Sequence, residues 1–114
     1  ADHPWVRALD AAPFSPPGPD DVDPGELREL VRRGLVVRVD DVWFTPAALE
    51  AAARAVAALL ADRPEGVTVS EVRDALGTTR KHAVPLLGRL DATGVTRRRG
   101  DRRIAGPRLP TDAG

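Results

Sequence analysis

Arg80, Lys81 and His82 stand side by side, and Arg97, Arg98, Arg99, Arg102 and Arg103 follow before residue 104. Cations at this density bind anions. The planar fork of arginine suits bidentate contact with phosphate and stacking on bases. Other chemistry finds no residues to carry it. The chain holds no Ser/His/Asp arrangement, no paired carboxylates in an acid–base setting, and neither a GxxxxGK[ST] nor a GxGxxG phosphate loop. It has no cysteine, and His3 and His82 stand apart without a carboxylate pattern to complete a metal site. The residues therefore point to a non-catalytic binding protein, with no metal or cofactor of its own.

The charge is segregated. The 114 residues carry 17 Lys plus Arg and 17 Asp plus Glu, a formal net charge of zero. Residues 1–62 hold 6 arginines against 11 acids, whereas residues 63–114 hold 11 Arg plus Lys against 6 acids. The halves differ in sign, so a polyanionic partner meets the second. A GC-rich coding bias also enriches arginine and would leave it on a solvated surface. Against that, "LVVRVDDVWF" has one Arg and two Asp, while "VTRRRGDRRIA" has five Arg. Coding bias acts on both alike. The first half thus reads as a spacer or docking unit whose acidic face repels polyanions.

A composition of 42% hydrophobic and 30% charged residues fits a globular protein. No apolar run approaches the roughly 20 residues that span a bilayer, and "ADHPWVRALD" has no signal-peptide pattern. The expected location is the cytoplasm. The chain contains no methionine, and it reads as a fragment of a longer protein.

These residues need elements to position them. "PWVRALDAA" places Trp5, Val6, Leu9 and Ala12 on one helical stripe, and the prolines of "PFSPPGPDD" end it. "SPPGPDDV" is a poor helix and reads as a turn or a single 3₁₀ turn. In "DPGELRELVRRG", Asp23 caps, Pro24 and Glu26 suit the first turn, Leu27, Leu30 and Val31 face inward, and Gly34 closes. "LVVRV-DD-VWF" is a hairpin, with Trp5 and Trp43 expected in the core. A long Ala-rich helix over 46–62 follows, capped by Thr45. "EGVTV" is a short strand, and 70–76 a short helix capped by Ser70. Residues 79–93 form a helix capped by Thr78 or Thr79, with Ala83, Val84, Leu87 and Leu90 inward and Gly94 at its end. "VTRRR-GD-RRIA" is a second hairpin with a Gly-Asp turn.

Helix, helix, hairpin is the winged-helix order. The expected fold is α+β, mainly α, as two tandem winged helices over 1–46 and 47–110, with a disordered tail at 111–114. Helix-turn-helix units dock their second helix on nucleic acid and let a wing touch the backbone. Cations at a helix N-terminus oppose the macrodipole unless phosphates compensate them. In the wing, strand alternation places Arg97 and Arg99 on one face and Arg98 on the other, and splits Arg102 from Arg103. Part of this cluster is expected to share a patch with Arg80 and Lys81.

"TVSEVRD-LG" followed by "TRKHAVPLL--LD--G-T-R-GD-R" resembles the last winged helix of the bacterial selenocysteine-specific elongation factor (SelB) family, and "LV-RGLVVRV-D-VWFTPAAL" resembles the winged helix before it. That resemblance implies a monomeric arm that grips a SECIS-type mRNA hairpin through Arg80, Lys81, His82 and the Arg97–Arg103 wing. In the family, GTP, Mg and selenocysteyl-tRNA are handled by an N-terminal GTPase, and the ribosome is met by the whole factor. Two other readings of the same residues are a dimeric DNA-binding transcription regulator and a protein-interaction winged helix with an acidic partner.

Overall fold

The computed structural model describes residues 3–110; the expected tail at 111–114 lies outside them. Helix α1 (Pro4–Ala11) starts where the His3 ring accepts from the Trp5 N–H. It buries Trp5, Val6 and Leu9. Residues 12–23 hold turns and no helix, as their prolines dictate. Helix α2 (Pro24–Arg32) is capped by the Asp23 carboxylate, which accepts from the Gly25 and Glu26 N–H groups. Leu30 is buried and Leu27 packs beside it. Val31, expected inward, is exposed: it lies one residue, about 100°, around the helix from Leu30.

Strands β1 (Val37–Val39) and β2 (Val42–Phe44) form a hairpin with Val39 opposite Val42. Asp40 takes a positive φ of 56° at its turn, a conformation that a short polar side chain tolerates. Trp43 meets Trp5 edge-on, with centroids 6.0 Å apart, and carries the Arg38 guanidinium over its ring. Helix α3 (Pro46–Asp62) then runs through the molecule, capped by Thr45.

Strand β3 (Val67–Thr68) leads directly into α4 (Val69–Leu76). The cap is Thr68 and not Ser70. Thr68 accepts from the Glu71 N–H while Glu71 accepts from the Thr68 N–H, a complete capping box. The Thr68 N–H, and then Arg63 at 2.7 Å, hold the Glu71 carboxyl below its usual pKa, against some desolvation. Gly77 ends α4 at φ 64°. Helix α5 (Arg80–Ala92) follows, then β4 (Thr96–Arg99) and β5 (Arg102–Ala105). The second sheet has the order β3-β5-β4, all antiparallel.

Three buried clusters hold the chain together. One joins α1, α2 and the approach to β1 through Trp5, Leu9, Leu30 and Val36. Another joins α3, β3, α4 and α5 through Val56, Leu60, Val67, Val72, Leu87 and Leu90. The third lies between them, with Val39, Val42 and Phe44 of the first hairpin, Ala48 and Ala52 of α3, and Leu86 of α5. The sequence stripe on α5 named Val84, but Val84 is 43% exposed while Leu86 is fully buried. A helix packed on two sides buries a wider arc than a single stripe allows. The resulting body measures 44 × 25 × 21 Å.

After the wing the chain doubles back. Arg108 N–H donates to the Gly94 carbonyl, and Gly106 N–H to that of Val95. A Cβ on Gly106 would overlap the Gly94 carbonyl, so Gly106→Ala is expected to cost about 1–3 kcal/mol as overpacking. Gly88 in α5 is its opposite, with open space around it; Gly88→Ala is expected to stabilise by about 0.5–1 kcal/mol. Thermal melts of the two variants should move in opposite directions.

Candidate nucleic-acid interface

Helix α5 differs from its neighbours at its start. Four helices are capped by a side chain: His3, Asp23, Thr45 and Thr68. At α5 the N-cap residue is Thr79, and neither of the expected hydroxyls caps it. The Thr79 hydroxyl instead faces His82 Nδ1 at 3.1 Å. Thr78 donates to the Phe14 carbonyl at 2.6 Å, with Ser15 Oγ 2.8 Å and His82 Nδ1 3.4 Å from its hydroxyl. The first N–H groups of α5 are thus left without a side-chain acceptor, and no acidic residue occupies that turn. Arg80 and Lys81 are exposed beside them. Free N–H groups, the positive end of the helix dipole and two cations together favour an anion at this position.

His82 is half-buried at the same turn. Burial of its ring, and secondarily the Lys81 charge, push its pKa below the ordinary 6.5. The ring is therefore neutral at pH 7. The unfolded chain takes up this proton first, so His82 contributes stability above pH 6.5 that is lost as pH falls from there toward the folded value. A bound phosphate favours the imidazolium, so it makes the pH dependence of binding opposite in sign. Between about pH 7.5 and 5.5, Tm is expected to fall while affinity for a phosphate-bearing ligand rises. His82→Gln should remove both trends, as read by melts and binding titrations over that range.

The wing provides the second set of cations. Residues directly opposite in an antiparallel pair share a face. Arg98 pairs with Arg103, and Thr96 with Ala105; Arg97 pairs with Ile104, and Arg99 with Arg102. Thr96 and Arg103 are buried, so theirs is the inner face. Arg97, Arg99 and Arg102 lie on the outer face and are exposed. Arg98 is exposed as well and donates to the Gly100 carbonyl at the turn. Arg102 donates to the Gly66 carbonyl at 3.1 Å, which steadies it against the loop before β3.

Arg103 corrects the sequence expectation. Its guanidinium donates from Nε and Nη2 to the Asp91 carboxylate, at 3.2 and 3.0 Å to Oδ2, and its side chain is 9% exposed. It belongs to the interior of the module and not to its contact surface. Asp91, a lone acid near the end of α5 with no motif to mark it in sequence, also accepts from Thr96 at 2.6 Å. Among the described residues, Arg80, Lys81, Arg97, Arg98, Arg99 and Arg102 have no carboxylate within ion-pairing distance; in the first half, Arg32, Arg38 and Arg54 are paired to Glu29, Asp41 and Glu50. These six cations belong to the start of α5 and to the wing. Asp91, near which the wing is attached, lies about 16 Å along α5 from Arg80.

Among the described residues no group of three His, Asp or Glu side chains could hold a metal ion, and no helix is long and apolar enough to cross a membrane.

Comparison with known proteins places this geometry. No curated protein sequence matches the chain. Among solved structures, the chain is similar to the mRNA-binding domain of elongation factor SelB from E. coli, solved in complex with SECIS RNA. The TM-score is 0.70 and the identity 23%, over 90% of this chain and 93% of that one. It is also similar to a bacterial selenocysteine-specific elongation factor, EF-Sec. There the TM-score is 0.62 and the identity 26%, over 75% of this chain but only 14% of that one. Residues 58–105 match the family model of the elongation factor SelB winged helix. The segment that carries both sets of cations is therefore the segment that matches a SelB winged helix.

Proposed function

We propose that this chain is the mRNA-binding arm of a selenocysteine-specific translation elongation factor. On this reading it recognises a SECIS-type stem-loop and so directs selenocysteine insertion at UGA codons. One observation carries the proposal: the SelB winged-helix match over 58–105 encloses the uncapped, cationic start of α5 and the unpaired outer wing arginines. The likeness in fold to an RNA-binding SelB domain supports it. The chain acts as two winged helices, 1–46 and 47–110, with the first as an acidic spacer and the second as the reader.

The physics of RNA suits such a reader. The A-form major groove is too narrow for an inserted helix, so a small module grips the backbone and the unpaired bases of a loop. The α5 start takes phosphate, while Arg97, Arg99 and Arg102 track the strand or stack on a splayed base. His82 supports the first turn. The chain works as a monomer in the cytoplasm and catalyses nothing itself. GTP, Mg, selenocysteyl-tRNA and the ribosome are met by the remainder of the factor.

A salt-titrated binding assay tests this, with an RNA stem-loop, the same RNA with its loop closed by base pairs, and a DNA duplex of equal charge. Loop-dependent preference for RNA is the expected result. Equal affinity for all three would overturn it, and preference for the duplex would favour a DNA-binding regulator.

A further inference from the structure

We infer that Asp91 is a positioning residue for nucleic-acid binding: it ties both strands of the wing to the last turn of α5 and so sets the direction in which Arg97, Arg99 and Arg102 are presented. The inference rests on the reading of the wing as a contact surface.

Asp91 is an anion inside a basic reader, and by charge alone it opposes a polyanion. Its contacts explain its place. Oδ1 accepts from the Thr96 hydroxyl at 2.6 Å, on β4, and Oδ2 accepts from Arg103 Nε and Nη2 at 3.2 and 3.0 Å, on β5. One carboxylate thus holds the first residue of one wing strand and the second residue of the other. Both partners are nearly dry, with Thr96 1% and Arg103 8% exposed, so water does not readily replace these bonds. A planar guanidinium bonded through two nitrogens resists rotation in a way that a single point contact does not.

The register converts this tie into aim. Arg103 and Thr96 face α5, so their strand neighbours Arg102 and Arg97 must face the opposite way. Arg99, opposite Arg102, follows them. The inner-face bonds therefore decide the outer-face orientation. Without Asp91, Arg103 becomes an uncompensated buried cation beside Arg98, and the lowest-energy escape is for the wing to swing away from α5.

Asp91→Asn tests this because the amide keeps the size and the Thr96 acceptor but loses the charge. In the free protein, backbone 15N relaxation and residual dipolar couplings should show the wing amides of 97–103 losing their fixed orientation relative to α5. Unchanged couplings would overturn the inference, and this readout needs no RNA. With the RNA stem-loop, Asp91→Asn should weaken binding by roughly two orders of magnitude and lower the salt slope by about 2, the value for losing two phosphate contacts. Adding Arg97→Ala and Arg99→Ala to Asp91→Asn should then cause little further loss. Full affinity and slope, or the tighter binding that simple removal of a negative charge predicts, would overturn it. Asp91→Glu should restore part of the slope. Thr96→Val releases β4 without stranding a charge and provides the same comparison if Asp91→Asn fails to fold. Failure of the functional reading shows separately, in the unsubstituted chain, as absence of loop-dependent RNA preference.

Discussion

Replacing Arg97 and Arg99 together by alanine is expected to weaken binding to an RNA stem-loop by two orders of magnitude or more while leaving Tm within a degree or two. Charge-assisted hydrogen bonds are worth about 1.5–3 kcal/mol each, or roughly a factor of 10–150 in Kd per arginine. Both side chains lie on the outer wing face, exposed and without an ion-pair partner among the described residues. Nothing in the fold depends on them, and surface substitutions of this kind usually change stability by no more than about 0.5 kcal/mol. The dependence of log Kd on log salt should become shallower by about 2. Gel shifts between about 50 and 300 mM salt, paired with thermal melts, measure both quantities. The control is Arg28→Ala with Arg33→Ala on the first half, two exposed arginines outside the matched segment, which should leave affinity almost unchanged. An equal loss at both pairs would mean that the protein responds to net charge and has no reading surface.

Leu86→Ala is expected to cost about 2–5 kcal/mol, the range for a buried leucine truncated in a close-packed core. Leu86 is fully buried and packs with Val39, Val42 and Phe44 of the first hairpin and with Ala48 and Ala52 of α3. Ala48 and Ala52 are too short to fill the void themselves. Val84→Ala on the same helix is the comparison: Val84 is 43% exposed, and its loss should stay within about 0.5 kcal/mol. Urea melts of both variants decide this. A drop of less than about 1 kcal/mol for Leu86→Ala would mean that the cluster between the two halves contributes little.

Local signals in the sequence were read well where they act over a few residues. The Asp23 and Thr45 caps, the two-residue turns at Asp40-Asp41 and Gly100-Asp101, and the proline-rich break after α1 are all present. Each depends on backbone geometry that neighbouring residues fix. Ser70 reads as a cap from sequence, but β3 leads into α4 without a loop, which moves the cap back to Thr68. Helical spacing gives one stripe and puts Val84 inward, whereas the hairpin of the other half packs against Leu86 from a second side. At the interface, strand alternation alone gave the faces of Arg97, Arg98 and Arg99. It could not show that Arg103 meets Asp91, twelve positions away, since that pairing exists only once β5 has folded back over α5. A lone acid near the end of a basic helix, followed by a threonine and an inward-facing arginine, is a signal that can be sought in other sequences.

The bond from Thr78 to the Phe14 carbonyl joins the residue just before the N-cap of α5 to a loop of the other half, 64 positions earlier. Together with the cluster around Leu86 it packs the two halves against each other in a body 44 Å long. A flexible tether spreads whatever it carries over a volume, and lengthening it dilutes the local concentration at the far end. A stiff arm instead delivers its cargo at one distance and one angle. If an RNA is held at the wing as proposed, such an arm would fix its orientation relative to the far end, with the entropy of that alignment spent when the protein folded.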